Sequence, residues 1–126
     1  MNGRERYNGQ VRPCRSLAEI SAVISGSVRL EILKSLIMAS RGVTQLADDL
    51  ELEISHVSHN LRVLKANGLV DVKRRKRSKV YYLTERVRGS PNGQFIELDI
   101  RLPSGESALF KFLRENVAMP EENLQS

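Results

Sequence analysis

Residues 55–83 read SHVSHNLRVLKANGLVDVKRRKRSKVYYL, and this stretch decides the fold. Val57, Leu61 and Leu64 recur at the spacing of one helix face, which predicts a helix from Ser55 to Asn67. Asn67-Gly68 then stops it, because glycine readily takes the left-handed conformation that closes a helix end. Leu69 to Val72 alternates with polar residues as a half-buried strand does, and Val80 to Leu83 is β-branched and aromatic and suits its partner. The basic run Lys73 to Lys79 is left as the hairpin tip between them.

Working back toward the N-terminus, helical spacing continues. Val43 to Leu50 is a short helix with Leu46, Ala47 and Leu50 inward. Before it, Val28 to Ala39 carries a stripe of Leu30, Leu33, Leu36 and Ile37, and Ser40-Arg41-Gly42 separates the two helices. A first helix starts after Ser16, a suitable N-cap with Glu19 three residues on, and places Leu17, Ile20, Val23 and Ile24 on one face. Ser25-Gly26-Ser27 interrupts the pattern. Residues 1–15 hold Gly3, Gly9, Pro13 and scattered charge, and are expected to form a flexible arm whose Arg4, Arg6, Arg12 and Arg15 can reach a polyanion. Two short helices joined by a tight turn and followed by a cationic hairpin make a winged helix-turn-helix, whose second helix enters the major groove.

Beyond the hairpin the signals change. Gly89-Ser90-Pro91-Asn92-Gly93 is a cluster of turn formers. From Phe95 to Leu102, Ile96, Leu98, Ile100 and Leu102 alternate with Glu97, Asp99 and Arg101, which is a strand signature. Residues 106–117 are rich in helix formers and carry Leu109, Phe110, Leu113 and Val117 at helical spacing, so a dimerising helix is expected there, packed on the helix from Leu17 to Ile24. A strand over Ser107 to Leu113 is the alternative, because Phe110 and Phe112 alternate with polar neighbours. The expected organisation is an arm at 1–15, a winged helix-turn-helix at 16–88, a strand and helix at 89–117, and a frayed tail at 118–126. The fold class is mostly α with a small β-hairpin wing, α+β overall.

The chain has 126 residues and a formal net charge of +5. That excess sits in residues 62–79, where Arg62, Lys65, Lys73, Arg74, Arg75, Lys76, Arg77 and Lys79 face a single acid, Asp71. A localised basic block marks a polyanion partner, and a solvated charged loop is the plain alternative. No apolar run approaches the ~20 residues that span a bilayer. Met1 to Arg15 has no apolar stretch of a secretion signal, so the expected location is the cytoplasm. One cysteine, Cys14, excludes an internal disulfide and a multi-thiolate zinc site; a redox role across a dimer is its candidate function, and an incidental thiol in the arm is the plainer reading. His56 and His59 stand three apart without an evident third metal ligand except Glu53, so neither metal nor cofactor is expected. No nucleophile, base and orienting acid can be assembled, and the chain does not read as an enzyme.

Three stretches carry a resemblance to a known family. Ser25-Gly26-Ser27-Val28-Arg29-Leu30-Glu31-Ile32-Leu33, the run from Val57 to Val70, and Val80-Tyr81-Tyr82-Leu83 together resemble the ArsR/SmtB winged-helix transcriptional repressors, in order and in spacing. The resemblance implies a homodimer on a palindromic double-stranded DNA operator with half-sites about one helical turn apart. Departures accompany it. Gly42 stands where metal-sensing members commonly have cysteine, and no histidine follows His59. Glu53 replaces the usual serine N-cap of the recognition helix, Ile54 takes a commonly polar position, Asn60 replaces a histidine, and the wing tip has no glycine.

The candidate DNA contacts are Ser55, His56, Ser58, His59, Asn60, Arg62 and Lys65 on the recognition helix, with Lys73, Arg74, Arg75, Lys76, Arg77 and Lys79 on the wing. Such side chains donate to base edges or phosphates, and Asn60 could pair with adenine. The candidate dimer interface is Leu17, Ile20, Ile24, Leu109, Phe110 and Leu113. Asp48, Asp49, Glu51 and Glu53 form an acidic patch best read as a solvated face. The rival function is a winged-helix module that binds protein or RNA without reading DNA sequence. No feature names a small-molecule effector.

Overall fold

The computed structural model describes residues 16–113. The expected arm at 1–15 with Cys14, residues 114–117 of the expected last helix, and the tail at 118–126 lie outside the described residues. Four helices come first: α1 (Leu17–Ile24), α2 (Ser27–Met38), α3 (Val43–Leu50) and α4 (Ile54–Ala66). Five strands follow: β1 (Val70–Arg75), β2 (Ser78–Leu83), β3 (Val87–Asn92), β4 (Phe95–Arg101) and β5 (Ser107–Leu113). The fold is a winged helix-turn-helix of the α+β class, with a second sheet appended.

Each helix end has a local cause. The Ser16 hydroxyl accepts the Glu19 N–H at 3.2 Å and starts α1. Between α3 and α4 the chain reverses at Glu51, which adopts φ 57° while its N–H returns to the Ala47 and Asp48 carbonyls. Helix α4 ends in a Schellman arrangement: Gly68 at φ 78°, its N–H on the Lys65 carbonyl and the Leu69 N–H on the Leu64 carbonyl, each at 3.0 Å. Leu64 and Leu69 are both fully buried beside it.

Strands β1 and β2 form the wing, antiparallel, with Val70 opposite Leu83 and Arg75 opposite Ser78. Only Lys76 and Arg77 make the turn, so the expected long basic tip is a correction: Lys73 to Arg75 and Lys79 are strand residues. The root of the wing is fixed by Arg41, which exchanges backbone hydrogen bonds with Tyr81 at 2.7 and 3.1 Å.

The second sheet runs β3-β4-β5, antiparallel throughout. It corrects two expectations. The turn-forming residues from Gly89 to Asn92 belong to β3, paired with β4 from Gly89–Leu98 to Asn92–Phe95, and Gly89 is glycine there because a Cβ would stand 2.3 Å from Ile37 Cγ1. The described part of the expected C-terminal helix is the strand β5, pairing with β4 from Phe95–Leu113 to Arg101–Ser107. Its period-two pattern wins because β4 offers an edge and the inward side chains Ala108, Phe110 and Phe112 then complete one apolar face.

One core joins both parts. Ile20, Ile32, Leu33, Leu46, Val57, Leu61 and Leu64 from the helices share it with Val87, Leu98, Ile100 and Ala108 from the sheet. Burying a Leu or Ile of this kind is worth about 1.5–3 kcal/mol each. Arg86 joins the two parts through polar bonds, donating to the Arg101 carbonyl at 3.1 Å and the Asn67 carbonyl at 3.4 Å.

Candidate nucleic-acid interface

Helix α4 divides cleanly into two faces. Val57, Asn60, Leu61 and Leu64 are buried, whereas Ile54, Ser55, His56, His59 and Arg62 are exposed. Ser58 and Lys65 are half-buried at the border. The structure thus places six of the seven candidate contacts of this helix on or beside one solvent-facing surface.

Asn60 is the exception and a correction. It is 5% exposed, with its Oδ1 accepting from Arg29 Nη1 at 3.0 Å and its Nδ2 donating to the His56 carbonyl at 2.9 Å. A base edge cannot reach it. Arg29 also donates from Nε to the Val23 carbonyl and from Nη2 to the Ala22 carbonyl at 3.5 Å. One guanidinium therefore ties the end of α1, the start of α2 and the middle of α4 together. Arg29 is a positioning residue that the sequence reading did not single out.

The wing lies after α4 in the chain and carries its charge outward. Every residue from Lys73 to Lys79 is exposed. Arg74 stands directly across from Lys79 in the strand register. Like charges facing each other across strands destabilise a hairpin. Among the described residues, no carboxylate lies within ion-pair distance of this run. Lys73 alone has a partner of another kind, its Nζ 5.2 Å from the Tyr82 ring centroid. The wing therefore holds a strong positive field that nothing in the described chain neutralises, at the end of a hairpin whose root is pinned.

The acidic patch is partly accounted for. Asp49 pairs with Arg41 at 3.5 Å, the same residue that holds the wing root. Glu53 is the N-cap of α4, yet its side chain makes no capping bond, as expected of a poor cap. Among the described residues, no group of three or more His, Cys, Asp or Glu side chains is placed to hold a metal ion.

The candidate dimer residues separate. Ile20 and Ile24 point into the chain's own core at 0% and 6% exposure, so their expected place in a dimer interface is a correction. Phe110 is half-buried on the inner face of the sheet. Leu17, Leu109 and Leu113 are exposed at 57%, 65% and 61%. Their surfaces remain open to a partner.

Comparison with known proteins agrees with this geometry. A model of the bacterial regulatory protein, arsR family, matches residues 26–72, which run from the start of α2 to the first wing strand. No curated protein matches the chain. The winged helix-turn-helix DNA-binding domain Mb0332 (fragment 1–100) of Mycobacterium bovis, homodimeric and a possible ArsR-family transcriptional regulator, is 28% identical over 53% of this chain with a TM-score of 0.50. The chain spans 62% of that domain's length. Rv0081 of Mycobacterium tuberculosis is 31% identical over 52% of this chain and 67% of its own length, with a TM-score of 0.50. Reduced HlyU from Vibrio cholerae is 29% identical over 52% of this chain and 70% of its own, again at 0.50. With the helix-turn-helix, the wing and the family match falling on the same residues, the chain belongs to the ArsR family of bacterial regulatory proteins.

Proposed function

We propose that the protein is a DNA-binding transcriptional regulator, a homodimeric repressor that acts in the cytoplasm on a two-fold symmetric operator. Helix α4 would lie in the major groove and present Ser55, His56, Ser58, His59, Arg62 and Lys65, while the wing meets flanking phosphates or the edge of the minor groove. The observation that carries this reading is the unneutralised, exposed run from Lys73 to Lys79, together with the exposed polar face of α4. A hairpin that opposes Arg74 to Lys79 gains stability when an anion arrives between them. Homodimerisation is supported by the homodimeric Mycobacterium bovis domain. On this chain the exposed Leu17, Leu109 and Leu113 are the candidates for it. The reading assigns no catalytic residue, metal or cofactor.

The test is fluorescence anisotropy with labelled duplex from the gene's own upstream region, over a salt series, against random duplex. Tight binding to the upstream duplex alone, with log affinity falling steeply against log salt, is the expected result. Equal and weak binding to both duplexes would overturn sequence-specific regulation and leave a cationic wing that touches any polyanion.

A further inference from the structure

We infer that Glu53 and Ile54, at the start of α4, are specificity-determining residues that read pyrimidine edges in the major groove, Glu53 accepting from a cytosine amino group and Ile54 covering a thymine methyl. This inference rests on the DNA-reading proposal and refines it.

Both residues depart from the surface around them. Ile54 is a large apolar side chain 51% exposed on a helix face that is otherwise polar. Glu53 is an exposed N-cap whose carboxylate bonds no helix N–H, so it serves the helix end only through the weak, solvent-screened attraction of its charge to the helix dipole. Among the described residues no cation pairs with it, in contrast to Asp49, which Arg41 neutralises at 3.5 Å. The rest of the proposed interface is made of hydroxyls, imidazoles and cations. A free carboxylate within that surface repels phosphate. Its direct favourable partner on a base edge is an amino group.

The chemistry of the groove then narrows the choice. The N-terminal residues of a recognition helix contact base edges. Two amino groups face the major groove, those of cytosine and adenine. Adenine sets an acceptor, N7, beside its amino group, which opposes a second carboxylate oxygen, whereas cytosine offers the donor alone. The apolar feature of that groove is the thymine methyl, and an exposed isoleucine can shield it from water. Adjacent residues in one turn therefore match the two pyrimidines, with one hydrogen-bond acceptor and one apolar contact.

The experiment selects bound duplexes from a randomised pool using the full chain. A cytosine and a neighbouring thymine, enriched in each half-site, are expected. Replacing that thymine by deoxyuridine removes only the methyl, and should weaken wild-type binding about 4-fold, the weight of one buried methyl group. Ile54→Ala should bind the two duplexes alike, and Ile54→Val should keep part of the discrimination. Glu53→Gln should exchange the cytosine preference for adenine, which glutamine reads through both N6 and N7. If selection yields no preferred sequence, the DNA-reading proposal and this inference fall together. If a preferred site emerges but wild type ignores the missing methyl, or Glu53→Gln keeps the cytosine preference, this inference alone is overturned.

Discussion

Asn60→Ala separates a structural from a DNA-contacting role for the one polar residue on the buried face of α4. The substitution removes the acceptor that Arg29 Nη1 reaches at 3.0 Å and the donor that reaches the His56 carbonyl at 2.9 Å. The second bond runs back to a carbonyl of the same helix, so its loss costs little. The first is charge-assisted and shielded at 5% exposure of Asn60, a class worth about 1.5–3 kcal/mol. Arg29 keeps its bonds to the Val23 and Ala22 carbonyls, which limits the damage, and alanine returns about 0.5 kcal/mol of helix propensity. The net expectation is a loss of about 1–2.5 kcal/mol, or about 4–10 °C in Tm for a domain of this size. In urea the midpoint should fall with an unchanged m-value. Arg29→Ala should cost more, and the double variant should cost about 1 kcal/mol less than the two together, because both remove the same bond. Well below the unfolding transition, DNA affinity of Asn60→Ala should stay within about twofold of wild type, since a buried amide reads no base. A variant with the wild-type urea midpoint and a tenfold loss of DNA affinity would refute the reasoning and return Asn60 to the groove.

Neutralising the wing with Arg74→Gln, Arg75→Gln and Arg77→Gln should flatten the slope of log affinity against log salt by about 2.7, at ~0.9 per phosphate contact, in the same anisotropy titration. The triple variant should melt no lower than wild type, because Arg74 opposes Lys79 and gains nothing from it in the free protein. Gly89→Ala would place a methyl 2.3 Å from Ile37 Cγ1 and should cost about 1–3 kcal/mol by thermal melting, with Ile37→Ala restoring part of the loss. Lys76→Gly should raise stability by about 0.5 kcal/mol, since Lys76 holds φ 56° at the wing turn; a lower Tm would show that its side chain matters more than its backbone.

The helical half of the fold was legible because each element carries its own signal. Ser16 caps, Gly26 and Gly42 interrupt, Gly68 stops, and the apolar spacing between them has one period. Ser107 to Leu113 carries two periods at once. Leu109, Phe110 and Leu113 fit a helix face, and Ala108, Phe110 and Phe112 fit a strand face. Local propensity favours the helix, whereas the partner that decides the matter, the open edge of β4, is invisible from within the segment. The same holds for Gly89, which reads as a turn former in isolation. It is a strand residue paired with Leu98, and it lacks a side chain because Ile37, some fifty positions earlier, fills the space one would take. Pairing across distance was the missing information in both cases. The period of the pattern was present, and it ranked second only because no partner was in view.

Within α4 the spacing itself carries the signal for Asn60. Val57, Asn60, Leu61 and Leu64 follow the three- and four-residue spacing of a single stripe, so the polar Asn60 lies on the buried face by spacing alone. A polar side chain in such a stripe demands an internal partner, because an unpaired one costs about 1–3 kcal/mol. Arg29 is that partner, and the demand is met inside the chain. Ile54 and Glu53 break the pattern in the opposite sense. One is apolar on the polar face; the other is an acid at a cap position that bonds nothing at the cap. Among the described residues no cation pairs with Glu53, and half of Ile54 stays open to solvent. Two kinds of misfit in one helix thus have two kinds of resolution: the residue satisfied within the fold serves the fold, and the two left facing solvent at its N-terminal end are where an external partner of matching chemistry should be sought.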